Sequence, residues 1–477
     1  MLLALLVGCR AFTTEPAEWR DLQAYVEWGL HEWDVPGASI AVVDHGEVYS
    51  AAFGVRSLET GEPMTIDTQF HAASLTKMHT GMAMLTLIED GLVDPEAPVT
   101  DQIPGLALKR PYQASSMTID ELLTHSSGLQ ANGHNKDCDD VDAADLEPWV
   151  MESALGWVQW TPPDVLYDYA NIGFAIGGLA AQKVTGQPYA EVMQERVLGP
   201  LGMEHSTFDA NEALENYATG HTLDPATHEL VGTHDLFDRG CATEWPYGGL
   251  ITTAPDLART IEVLLTKGAP VMDEATYDGW VHGGWEFSSS SRYSYGLLVS
   301  DDYLGHRMLQ HGGAMEGYIS IFGVAPDDDW GMVILVNSDH STTFPTEPYT
   351  KPTQLIFLKA LSLYLGTPID PVESTVRPVE EWSRFVGDYF EQFTYGNLSV
   401  TQDGDELWLH IADPDPRDVQ LEPYSSNTFR YDRAYESTYQ SEISFSMSDE
   451  DTVDWVFLDG SGIASVAPTT LEQCIGR

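Results

Sequence analysis

Positive charge is scarce in this chain: 22 Lys and Arg stand against 74 Asp and Glu in 477 residues, a formal net charge of −52. A surface of that sign repels phosphate, so nucleic acid is excluded as a natural partner. The acids are spread along the whole chain rather than gathered in a tail, which reads as a heavily solvated surface of the kind salt adaptation favours. Cysteine is nearly missing too. Cys9, Cys138, Cys241 and Cys474 are too few for a disulfide scaffold, and none is spaced Cys-x-x-Cys for zinc. Cys138 and Cys241 sit in loop-like segments and form the one candidate pair in an oxidising compartment, with free thiols as the alternative. Beyond the N-terminus no run approaches the roughly 20 apolar residues of a membrane span. Histidines are plentiful, but the tightest cluster, His221, His228 and His234, matches neither His-Glu-x-x-His nor another three-ligand spacing. Neither a metal nor a cofactor is expected.

What is present points to a large folded enzyme-sized protein. The length exceeds one ordinary core and suggests two or more domains with room for a cleft. The chain opens on an apolar run ending Leu6-Val7-Gly8-Cys9, which resembles a bacterial lipoprotein cleavage site. Residues 1–20 are therefore expected to be an export signal and tether, with Cys9 as the lipidated residue and a periplasmic or membrane-anchored address. From Val35 to Val55 short apolar runs broken by His45-Gly46 predict a β-hairpin. Leu75, Met78, Met82, Leu85 and Ile88 recur at helical spacing and stop at Gly91, predicting a helix that begins at about Ser74. The middle, roughly 110–275, reads as a helical insertion, for example over Ile172–Val184 and Leu257–Leu265. Strands return at Tyr293–Val299, His306–Gln310, Tyr318–Val324 and Met332–Val336. The fold class that follows is mixed α/β: an antiparallel sheet completed by distant segments, flanked by helices. This unit is assigned residues 21–368. After a linker near Pro368–Pro378, residues 369–477 alternate as short strands with turns such as Asp403-Gly404 and Asp459-Gly460, predicting a small antiparallel β-barrel or sandwich.

The chemistry centres on Ser74 and Lys77, whose spacing puts hydroxyl and amine on one face of a helix about one turn apart. A serine hydroxyl is a weak nucleophile until a base removes its proton, and an amine kept neutral can do so. A helix N-terminus favours the neutral amine and offers free backbone N–H groups to an oxyanion. Alone, the pair reads equally as a helix cap beside a surface charge. Among the lysines, however, only Lys77 has a serine three residues earlier.

Phe70-His71-Ala72-Ala73-Ser74-Leu75-Thr76-Lys77, Leu87-Ile88-Glu89-Asp90-Gly91-Leu92 and Met117-Thr118-Ile119-Asp120-Glu121-Leu122-Leu123-Thr124-His125-Ser126-Ser127-Gly128-Leu129 together resemble the serine β-lactamase-like superfamily, in its branch of class C β-lactamases, DD-peptidases and family VIII carboxylesterases. The resemblance implies a second motif, met by Tyr169-Ala170-Asn171. Tyr169 would then be a second proton carrier, and Asn171 would hold substrate carbonyl or amide groups. The family usually has Gly after the proline before this motif; here the residue is Asp164. A third motif is met by His311-Gly312-Gly313-Ala314, where glycines let a substrate lie along a strand edge. The resemblance assigns the oxyanion hole to the backbone N–H groups of Ser74 and Ala314. His311 stands where most class C β-lactamases carry Lys, which shifts the expectation from β-lactams toward small esters and D-amino acid amides or peptides. Pro200-Leu201-Gly202-Met203, Gly248-Gly249-Leu250-Ile251-Thr252-Thr253-Ala254-Pro255 and Val336-Asn337-Ser338 extend the likeness over roughly 35–340. The implied activity is hydrolysis through an acyl-enzyme on Ser74. A penicillin-binding or sensor protein that acylates without turnover, or a true β-lactamase, are the alternatives. His125 is expected to brace a loop, and the C-terminal unit carries no motif of its own.

Overall fold

The structure, a computed structural model, describes residues 15–131, 146–165, 167–208, 216–224, 227, 229–233, 245–288, 290–339, 352–367, 379–391, 396–411, 417–423, 428–432, 440–447, 453–458 and 464–465. The candidate tether with Cys9, the Cys138 and Cys241 pair, His228, His234, the Pro368–Pro378 linker and the Asp459-Gly460 turn lie outside these residues.

Helix α1 (Ala17–Glu32) leads into the hairpin β1 (Gly37–Asp44) and β2 (Glu47–Gly54), which turns at His45 and Gly46. The central helix α2 spans Thr76–Glu89, α3 Asn171–Thr185 and α4 Ala254–Leu265. The chain then returns to the sheet as β3 (Trp285–Ser288), β4 (Ser291–Ser294), β5 (Leu297–Tyr303), β6 (His306–Met315), β7 (Tyr318–Ala325) and β8 (Trp330–Val336), followed by α5 (Pro352–Leu365). The eight strands form one antiparallel sheet in the order β2-β1-β8-β7-β6-β5-β4-β3. The first hairpin is thus joined to the last strands, with Ala38 opposite Val336. This is the sheet of distant segments that the strand pattern implied.

Both faces of its centre are buried, so β8 is apolar at every position rather than alternating. Ile40, Val42, Met332 and Ile334 face α1 and α5 with Trp19, Leu22, Val26, Ile356 and Phe357. Their neighbours Ala41, Val43, Val333 and Leu335 face the other way, into the larger core built by α2, α3 and α4. Helix α2 lies inside that core and is buried from Thr76 through Leu87, which is why it carries apolar residues all round instead of one stripe. It ends where expected: the Gly91 amide, at φ +69°, bonds Ile88 O, and the Leu92 amide bonds Leu87 O.

Two expectations need correction. The run Tyr293–Val299 is not one strand: Tyr295 (φ +43°) and Gly296 (φ +87°) turn the chain between β4 and β5. A Cβ on Gly296 would lie 2.3 Å from the Lys77 carbonyl, so this turn is pressed against α2. The apolar run hid a turn whose purpose is tertiary. Second, the C-terminal strands Gly387–Glu391 (β9), Gly396–Asp403 (β10), Glu406–Ile411 (β11), Arg417–Pro423 (β12), Thr428–Asp432 (β13), Gln440–Met447 (β14), Val453–Leu458 (β15) and Ala464–Ser465 (β16) form an eight-stranded antiparallel meander, not a closed barrel. Among the described residues no ladder joins β16 to β9. Trp382, Phe385, Leu398, Leu407, Leu409 and Phe429 form a core for this sheet. No described helix is long and apolar enough to cross a membrane.

Candidate active site

The serine is placed by a short ladder outside the main sheet. Phe70–His71 pairs with Ile251–Thr252, the Ala72 amide donates to Leu250 O at 2.9 Å, and the Leu250 amide donates to Thr76 Oγ1 at 3.1 Å. The Gly248–Pro255 motif therefore serves to hold the serine turn. Ala73, buried, has φ +50°, a left-handed conformation that a non-glycine residue adopts only when its surroundings enforce it. Ser74 then sits in a 3-10 turn (Ala73–Leu75) rather than in the α-helix proper, which starts at Thr76. The turn leaves the Ser74 hydroxyl within reach of the Lys77 side chain of α2.

Lys77 is fully buried, and its Nζ stands 2.9 Å from Ser74 Oγ and 2.9 Å from the Tyr247 carbonyl, to which it donates. The aromatic faces of Tyr169, Tyr247 and Phe174 lie 4.9, 5.5 and 5.8 Å from Nζ. Tyr169 also hydrogen-bonds Ser74; burial holds its phenol well above the usual tyrosine range, partly offset by that bond. Nucleophile, amine and phenol thus meet in one enclosed place, and the phenol keeps its proton at neutral pH. Asn171, the first residue of α3, is fixed by its amide to Ala131 O at 2.8 Å.

Strand β6 passes the serine turn along its outer half. Its residues His306–Gln310 pair with β5, whereas His311–Met315 pair with β7 alone and turn their other edge toward the serine turn. Gly313 makes the approach feasible: a Cβ there would fall 2.1 Å from Ser320 Oγ and 2.5 Å from Ala72 O. Gly312 has no such neighbour, the nearest atom being 3.9 Å away, and Ala314 is exposed. His311 is engaged at both ring nitrogens, with Nδ1 2.6 Å from Gly312 O and Nε2 2.9 Å from the Tyr293 hydroxyl. A carbonyl only accepts, so Nδ1 carries the proton and Nε2 accepts from Tyr293. Burial holds the imidazole pKa down to about 3. The histidine is neutral here.

A model of one family, Beta-lactamase, matches residues 22–351 of the chain. The chain belongs to this family. Its relatives include penicillin-binding protein 4 of Amycolatopsis lactamdurans, 29% identical over 334 residues that cover 66% of this chain and 84% of that protein. Among solved structures, the octameric penicillin-binding protein homologue from Pyrococcus abyssi superposes with a TM-score of 0.64 at 23% identity, covering 94% of this chain and 99% of that one. The D-amino acid amidase from Ochrobactrum anthropi SV3, solved with L-phenylalanine amide, does so at 0.61 and 22%, covering 74% and 99%. Such distant likeness shows the fold.

Against the Beta-lactamase pattern, the Asp164 departure has a physical reading. Asp164 adopts φ +60°, a backbone that aspartate tolerates better than most residues. Its amide donates to Ser126 O at 2.8 Å and its Oδ1 accepts from Ser126 Oγ at 3.1 Å. The carboxylate thus supplies a tie that glycine cannot. Two participants were not legible in the motifs, the Tyr247 carbonyl and the Tyr293 hydroxyl; His125, expected to brace a loop, packs its ring against both Tyr169 and Tyr293. Tyr247 acts through a backbone atom and Tyr293 from within a run that reads as one strand, so nothing in the spacing marks them.

Proposed function

We propose that this protein is a serine hydrolase that forms an acyl-enzyme on Ser74 and hydrolyses small esters or D-amino acid amides and peptides. The observation that carries the reading is the buried Lys77 amine 2.9 Å from Ser74 Oγ, within reach for proton transfer. Lys77 Nζ, in its neutral form, takes the Ser74 proton as Oγ attacks the carbonyl carbon. The Tyr169 phenol, protonated before reaction, supplies a proton to the leaving nitrogen or oxygen, and Lys77 restores it. Water then attacks the acyl carbon and frees Ser74. The Ser74 and Ala314 amides, beside the N-terminal end of α2, are the donors for the oxyanion, and Asn171 and the Gly312-Gly313 edge hold the substrate. The D-amino acid amidase likeness supports amides as the substrate class. A neutral, fully engaged His311 presents no cation to a carboxylate, in keeping with an ester or amide rather than a β-lactam.

The test is a panel of nitrophenyl esters, D-alanyl anilides and a chromogenic cephalosporin, run beside Ser74→Ala with intact-mass detection of the adduct. Ester or anilide turnover that vanishes in Ser74→Ala supports the reading. Activity surviving in the variant sinks it, and a stable adduct without turnover would replace hydrolysis by trapping.

A further inference from the structure

His125 sits at a point where three parts of the site converge. It is fully buried and holds φ +61°, the left-handed backbone. Its carbonyl accepts the Asp168 amide at 2.6 Å, and its Nδ1 lies 3.1 Å from the Ala170 amide. An amide can only donate, so Nδ1 must be the unprotonated nitrogen. The backbone on both sides of Tyr169 is therefore held by one residue. The ring does the same for the side chain: its centroid is 4.3 Å from that of Tyr169, 4.4 Å from Tyr293 and 5.2 Å from Phe174. Tyr293 in turn hydrogen-bonds His311 on β6. Burial keeps the ring from taking up a second proton.

We propose that His125 is a positioning residue for Tyr169, setting the phenol over Ser74 through the Ala170 amide and through the tilted ring contact. The proposal rests on Tyr169 being the proton donor to the leaving group. It makes a demand that a general structural role does not. Tyr169 is needed most when the leaving group is basic, as in an amide or alkyl ester, and least when it is a nitrophenolate, which departs unprotonated.

His125→Asn is the informative variant. Asparagine tolerates the left-handed backbone and its Oδ1 stands where Nδ1 stood, so the Ala170 bond is kept and only the ring is lost. We expect kcat/KM for a D-amino acid amide to fall about tenfold or more and for the matching nitrophenyl ester to fall less than about threefold, a loss within the range of one misplaced acid catalyst. Placed in a Tyr169→Phe background, the same substitution should cost little further amide activity, because it acts through the phenol. Equal losses on both substrates after active-site titration, or full additivity with Tyr169→Phe, overturn the proposal. So does wild-type amide turnover in a folded His125→Asn protein. If Ser74→Ala and Tyr169→Phe both leave amide turnover intact, it is the underlying hydrolase reading that fails.

Discussion

Lys77 concentrates the chemistry at the residue scale, because its amine is buried, 2.9 Å from the serine, and ringed by aromatic faces. Replacing it with Met keeps the volume and removes the proton acceptor, so the acylation rate should drop by about a hundredfold or more while the fold survives. Stopped-flow acylation by a nitrophenyl ester, with thermal unfolding as control, measures both. An unchanged burst rate would remove Lys77 from the mechanism. The same residue shows how much the sequence could reveal. Ser74, Lys77 and Tyr169 were all legible as ordered motifs, and the structure brings them into one contact. His311 was legible as a position but not as a state: that both its nitrogens are engaged by Gly312 and Tyr293 follows from a neighbouring strand, which no local spacing records.

Elements set the distances between these groups. Helix α2 is buried on every side, and its His79 is enclosed with Nδ1 3.1 Å from Leu75 O and Nε2 3.0 Å from Thr260 Oγ1 of α4. Burial lowers the His79 pKa to about 4. The unfolded chain binds a proton there below about pH 6.5, whereas the folded one does not until about pH 4. Between those values the unfolded state holds more protons, so the contribution of His79 to stability is lost as pH falls through that window. Urea midpoints from pH 7 to pH 4 should therefore decline less steeply in His79→Gln than in the wild type, and parallel slopes would disprove this. Strand β6 offers a second check. Gly313→Ala forces a Cβ against Ser320 and Ala72, and should destabilise by about 1–3 kcal/mol and depress activity together. Gly312→Ala meets nothing within 3.9 Å and should keep the wild-type melting temperature. Calorimetry on the pair decides it. The split of the Tyr293–Val299 run belongs here as well, because the turn at Tyr295 and Gly296 exists to seat β4 against α2, and apolar pattern alone cannot tell a strand from two strands around a buried turn.

Across the whole molecule, charge weighs most. With a net charge of −52, the folded state carries strong self-repulsion that the expanded chain relieves. Salt screens repulsion over about 10 Å at 0.1 M and about 3 Å at 1 M, so raising NaCl from about 0.05 to about 1 M should raise the melting temperature by several degrees. Scans in NaCl and in an uncharged osmolyte of matched osmolality separate screening from exclusion effects. A melting temperature that is flat or falls in NaCl would show that the acidic surface does not limit stability. The meander that replaces the expected barrel is also a property at this scale: strand alternation announces a sheet, but whether its first and last strands pair is set by how the strands twist and coil in space.

The sequence by itself determined the fold class, the join of the first hairpin to the last strands, and the order in which Ser74, Lys77, Tyr169, Asn171 and the His311-Gly312-Gly313 edge are presented. It could do so because periodicity and glycine placement are local and survive without coordinates, and because the motifs in their order resemble those of a known family. Only the tertiary structure decided that Ser74 precedes the helix in its own turn, that Asp164 ties down the loop where glycine was expected, that His311 is neutral, and that the His125 ring packs against Tyr169. Each of those depends on which distant surface a residue is pressed against, and burial and hydrogen-bond partners far apart in the chain are set by packing rather than by sequence neighbours.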